Sequence, residues 1–195
     1  MTQQLNLTEF DLMNNNIKFY ILFEGFYDSV YDSIIDDIIE SEISEGKLTE
    51  EETEKIDYTN LHLELSKHIF DCILELFNNE FDLFTDNDYI TFDGLYSPND
   101  YHYSTDKIKA IISPEIYLTL LNKFGNNNSL INFCSNRRGD LFEMNQIKKE
   151  SSIFLEYLFR WFTLSEYRSE VIEFTTNNIH EIIYSNINKL KPKHE

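Results

Sequence analysis

The sequence predicts an α+β fold: a small antiparallel sheet packed by acidic amphipathic helices, with a helical C-terminal part. Three observations carry that expectation. Residues 17–23 (IKFYILF) are dense in β-branched and aromatic side chains, the composition of a buried strand. After Gly25 the apolar period changes: Tyr27, Val30, Tyr31, Ile34, Ile35, Ile38 and Ile39 recur three and four apart, lining one face of a helix. Two further strand-like runs, 89–92 and 108–112, read as a hairpin with a long connection.

The remaining elements follow in order. Residues 1–16 are a polar, Asn-rich lead-in, and 44–55 (SEGKLTEEETEK) are too charged to be buried, so an exposed loop or frayed helix end is expected. A second helix spans 59–78, with Leu61, Leu65, Ile69, Cys72, Ile73, Leu76 and Phe77 on its apolar face. Ser113-Pro114-Glu115 starts a third: serine caps, proline fits the first turn, and glutamate suits the positive end of the dipole. It runs to Gly125, where Gly-Asn-Asn-Asn-Ser marks the best internal boundary. Beyond lie a short apolar piece (130–134), a polar turn (135–140) and two helices over 152–164 and 169–190, with Trp161 in the core. The organisation expected is a lead-in (1–16), an acidic α+β domain (17–124) and a helical part (125–195) packed on the same core.

Charge is the sharpest signal. The 195 residues carry 35 acidic and 16 basic side chains, a formal charge of −19. Residues 1–106 hold 25 acidic against 4 basic side chains, whereas 107–195 hold 10 against 12. A surface with so few cations does not neutralise phosphates, so neither direct nucleic-acid binding nor an acidic membrane surface is expected. No apolar run of about 18 residues is present, so no spanning helix is expected, and no charged and then apolar leader opens the chain. Cys72 and Cys134 form no CxxC pair, which fits a reduced, cytoplasmic setting.

Within the first helix Asp28, Asp32, Asp36 and Glu40 recur every four residues and stack as one column, about 6 Å apart along the axis, with Asp37 beside them. Each such like-charge pair costs about 0.2–0.5 kcal/mol, and no lysine is interleaved to offset it. Glu42, Glu45 and residues 50–52 extend the strip. Such a column suits a partner that supplies positive charge. A merely solvated face is the alternative.

Other chemistry is weakly supported. Asp82, Asp86 and Asp88 lack the glycine and closing glutamate of a calcium loop. The five histidines and two cysteines show no zinc spacing, and GxSxG, HExxH and phosphate-loop motifs are absent. Cys72 lies on an apolar stripe and reads as core, and Arg138-Gly139-Asp140 reads as a turn. The expectation is a protein that is not an enzyme and uses no cofactor or metal. Tyr96, Tyr101 and Tyr103 around the hairpin connection suit a protein interface, Tyr101 and Tyr103 as anchors, or else cover a sheet edge.

Two segments resemble a group of small acidic proteins encoded by bacteriophages and prophages. Phe23-Glu24-Gly25-Phe26-Tyr27-Asp28-Ser29 leads into the acidic helix, and residues 95–108 read LYSPNDYHYSTDKI. The group's pattern is a strand, a Gly-Phe-Tyr-x-Ser turn, acidic helices, then Ser-Pro-x-x-Tyr-x-Phe-x-Thr-Asp-(Arg/Lys)-Ile. The likeness covers residues 17–112; it departs at Tyr103, where phenylalanine is expected, at Lys107, where arginine is usual, and at His102, where asparagine is common. It implies a mobile-element origin and a bacterial cytoplasm, and no chemistry. With the acidic column, it leads to an expected inhibitor of the anti-CRISPR or antirestriction type. Such a protein would mimic nucleic acid and dock on the basic groove of a host nucleic-acid-binding protein or ribonucleoprotein. Asp28, Asp32, Asp36, Asp37, Glu40, Tyr101 and Tyr103 would be the contacts. The alternatives are a structural or adaptor homo-oligomer and a metal-dependent enzyme with an unrecognised site.

Overall fold

The computed structural model describes residues 15–23, 32–84, 90–96, 107–138, 147–148 and 150–190. Three antiparallel strands, β1 (Ile17–Leu22), β2 (Ile90–Tyr96) and β3 (Lys107–Ile112), pair in the order β1-β3-β2, so the last strand in sequence is central. Alternation sorts their side chains. Ile17, Phe19 and Ile21 of β1 and Ile108, Ala110 and Ile112 of β3 face inward and are buried, while Lys18, Tyr20, Lys107 and Lys109 face the other way. In β2 the register with β3 slips between Phe92 and Gly94, leaving Asp93 as the extra residue of a bulge. Gly94 has φ 137°, a conformation that a side chain resists. The slip reverses the alternation, so Leu95 joins Phe92 against the core and Tyr96 turns outward.

Seven helices are seen among the described residues: α1 (Asp32–Ser44), α2 (Glu50–Thr53), α3 (Tyr58–Phe81), α4 (Pro114–Phe124), α5 (Asn128–Arg138), α6 (Ser151–Trp161) and α7 (Arg168–Leu190). A π-helical turn, Phe162–Glu166, joins α6 to α7. The α+β class, the small antiparallel sheet and the helical C-terminal part are as expected. The capping of α4 also holds: Ser113 accepts from the Ile116 N–H at 3.4 Å and Pro114 sits in the first turn.

Two apolar clusters result. The larger packs the inner face of the sheet against α3, α4, α5 and α6 and centres on Phe77, whose ring lies 4.9–5.5 Å from those of Phe81, Phe124, Phe159 and Phe162. The smaller joins Ile35 and Ile38 of α1, Leu48, Leu61 and Leu65 of α3, and Ile179, Ile183 and Ile187 of α7. Helix α3, about 36 Å long at 24 residues, is the shared spine: its first turns serve the small cluster and Ile69 to Phe77 the large one.

Two local expectations are corrected. Residues 128–138 form one helix, where a short apolar piece and a turn were expected; Leu130 and Cys134, four apart, bury one face of it. The charged stretch 44–55 is anchored: Gly46 takes φ 68°, the Lys47 and Leu48 amides both donate to the Glu42 carbonyl, and Leu48 is buried in the small cluster. Thr49 and Glu52 then form a reciprocal capping box that starts α2.

The free edge of β1 is closed by side chains. Thr163 of the π-helical turn, fully buried, donates toward the Leu22 carbonyl at 3.0 Å and the Phe159 carbonyl at 2.8 Å. Glu156 of α6 lies by the Tyr20 amide; burial raises its carboxyl above the usual range, while Lys107 and that amide act the other way. Covering an edge in this way removes a template for unwanted pairing.

Candidate interaction surface

Helix α1 positions the expected contacts. Ile35 and Ile38 fasten it to α3 and α7, so the opposite side faces solvent. Asp36, Asp37 and Glu40 lie on that side and are exposed, and none of them makes an ion pair among the described residues. Asp36 and Glu40 are one turn apart, the geometry expected for the column. Asp32 is the first residue of α1, with a side chain outside the described set. Asp28, Tyr101 and Tyr103 lie outside the described residues. Tyr96 ends β2 and is 42% exposed.

The expected extension of the strip is corrected in part. Lys47 turns back onto α1, 3.7 Å from Glu42 and in contact with Glu45, and those two carboxylates raise its ammonium above the usual value. Glu42 itself is buried at 6% exposure. Lys55 pairs with Glu51 at 3.4 Å, and Glu52 is spent on the capping box. Among the described residues, the exposed carboxylates that show no ion pair here include Asp36, Asp37 and Glu40 on α1 and Glu50 and Glu54 around α2. The reason is local: the turn at Gly46 folds a lysine back where the linear reading has only a run of acids.

The seam between α3 and α7 is antiparallel, with polar contacts along the rim of its apolar centre. Glu64 accepts from Asn186 Nδ2 at 2.6 Å and Asn60 Nδ2 at 3.3 Å, with Lys189 Nζ at 3.5 Å. The Asn186 hydrogen bond is the chief reason its carboxyl titrates below the usual range. Further along, His68 Nε2 lies 3.5 Å from Cys72 Sγ. Burial pushes the Cys72 thiol up to about 12, which favours the protonated thiol at neutral pH. The same burial lowers the His68 imidazole, against Asp71, the Asn178 carbonyl, Glu181 and Glu75. Among the described residues no group of three or more His, Cys, Asp or Glu could hold a metal ion, and no helix is long and apolar enough to cross a membrane. The depression lined by Glu181, Tyr184, Ser185, Asn188 and Lys189 is shallow and belongs to α7 alone.

A second surface escapes the linear reading. On the outer face of the sheet the Tyr20 and Tyr96 rings meet across β3, their centroids 5.5 Å apart. Lys107 Nζ lies 5.7 Å from the Tyr20 centroid and Lys109 Nζ 5.7 Å from that of Tyr96. Lys18 pairs with Asp93 at 3.5 Å. The available signal was the alternation of Lys18, Tyr20 and of Lys107, Lys109 with buried apolar residues. Comparison with protein-family models, with curated proteins and with solved structures finds no match to this chain.

Proposed function

We propose that the protein is a non-enzymatic inhibitor that docks the exposed carboxylates of α1 on a basic, nucleic-acid-binding surface of a host protein and blocks it. The observation that carries this reading is that Asp36, Asp37 and Glu40 stand on a packed helix, exposed and without a counter-ion among the described residues. Such charges repel one another, meet no cation among the described residues, and gain attraction from a basic partner. The column is sparser than duplex DNA, whose charges fall about every 1.7 Å, so the partner is met by a short charged ridge plus neighbouring contacts. Tyr101 and Tyr103 remain the proposed anchors. Assignment of the partner to bacterial defence rests on the resemblance to acidic phage proteins.

The test is capture of the partner from bacterial lysate at low and at high salt, using the wild type and an Asp36→Asn/Asp37→Asn/Glu40→Gln variant. The reading expects a basic nucleic-acid-binding protein that is lost at high salt and lost with the variant. A complex indifferent to both removes it.

A further inference from the structure

The linear count disperses cations that the sheet gathers. Lys18 comes from β1 and Lys107 and Lys109 from β3, yet all three stand on the face turned away from the helices. Between them the Tyr20 and Tyr96 rings meet over the central strand, so the face is aromatic at its middle and basic around it. Asp93 answers Lys18, and Glu156 lies near Lys107 at the β1 edge. A fourth cation flanks that edge. Arg160 is one turn after Glu156 and one turn before Thr163, which reaches Leu22, so it shares their side of the helix. Its Nε is buried without a hydrogen-bond partner, and no carboxylate pairs with it among the described residues. A guanidinium Nε left without an acceptor near the Leu22 end of β1 suits an anion.

We propose that this face binds single-stranded nucleic acid, with Tyr20 and Tyr96 stacking unpaired bases and Lys18, Lys107, Lys109 and Arg160 meeting the phosphates. An antiparallel sheet face with aromatic rings and surrounding cations suits that ligand, because unpaired bases offer their π faces and a duplex hides them. An acidic peptide would use the cations alone and leave the aromatic centre idle. The proposal is independent of the acidic ridge, which is built on the smaller apolar cluster. The overall charge of −19 works against affinity, so the binding is weak, with a dissociation constant of about 10⁻⁴ to 10⁻⁶ M at modest salt.

The experiment is fluorescence anisotropy of the full chain with a labelled oligothymidylate of about 12 nucleotides, a duplex of equal length, and a polyglutamate peptide as competitor. The single strand is expected to bind and the duplex and the peptide to bind much more weakly. Tyr96→Ala is expected to weaken binding at least about fivefold while Tyr96→Phe retains it, because stacking needs the ring alone. Lys107→Gln and Lys109→Gln each reduce the slope of log affinity against log salt by about 0.7. The triple α1 variant leaves the affinity unreduced, which separates this site from the ridge. Far-ultraviolet melting establishes that each variant folds. Absence of single-strand binding at low salt, equal binding of duplex or peptide, or a Tyr96→Ala affinity equal to wild type overturns the proposal.

Discussion

The two apolar clusters differ in kind, and the difference divides the labour of the molecule. The larger is a sheet, parts of several helices and a set of interlocked phenylalanine rings around Phe77. The smaller is eight buried aliphatic residues from three helices and one turn, closed by the Glu64–Asn186–Lys189 contacts at its rim. Unpaired carboxylates sit on the smaller one, which pays for their repulsion with far less buried surface. A charged ridge on a thin support is expected to open locally more readily than the sheet face on the thick one.

The strongest way to break that comparison is at Phe77. Phe77→Ala removes the ring that touches four others and is expected to cost about 3–5 kcal/mol, seen as a loss of the whole cooperative transition in urea. Ile183→Ala in the small cluster is expected to cost up to about 2–5 kcal/mol, but locally. Amide exchange should quicken in α1 and in the second half of α7, while the Trp161 fluorescence midpoint stays near wild type, because Trp161 packs in the large cluster. If both signals move together, the clusters are one cooperative unit and the division fails.

Acid should separate them further. Burial holds the His68 imidazole low, so the folded state prefers the neutral ring; as pH falls below the ordinary histidine value of 6.5 the unfolded chain protonates first and stability drops. Glu64 adds to this at lower pH, since its depressed carboxyl contributes stability above the ordinary 4.5 that is lost as pH falls through its folded value. Asp71, raised by burial, acts oppositely, as does Glu156 at the sheet edge. Protection factors along the α3–α7 seam, taken relative to the intrinsic exchange rate at each pH, should therefore fall on crossing 6.5 downward, and His68→Gln should flatten that step.

How much of this was legible depends on what kind of information each element uses. Helices α1 and α3 were readable because their apolar residues recur at helical spacing over many turns, and α4 because Ser113 and Pro114 mark its start. Helix α5 was not, because Leu130, Ile131, Phe133 and Cys134 stand among Asn, Ser and Arg over too few turns to show a period. Leu48 was missed for the opposite reason: a single apolar residue inside a charged run has no periodicity, and only the Gly46 turn sends it inward. The acidic column was visible as spacing; of its four members Asp36 and Glu40 are described, exposed one turn apart on α1 with Asp37 beside them. The answering Lys47 was not, because its pairing with Glu42 and Glu45 depends on a positive φ. The sheet face was hidden most deeply, since Lys18 and Lys109 are neighbours only through strand register.

The smallest expected effect sharpens the comparison most, because it has opposite signs in stability and in binding. Replacing Asp36 and Glu40 by Asn and Gln removes one like-charge pair at helical spacing, worth about 0.2–0.5 kcal/mol at low salt. Neither side chain is engaged with another described residue, so no contact is lost, and the thermal midpoint of the small cluster should rise slightly, the gain fading as salt is added. Capture of a basic partner should fall in the same variant. A lower midpoint would mean that these carboxylates are held by attraction inside the chain, and the ridge would then be part of the fold's own electrostatics instead of a surface kept for another molecule.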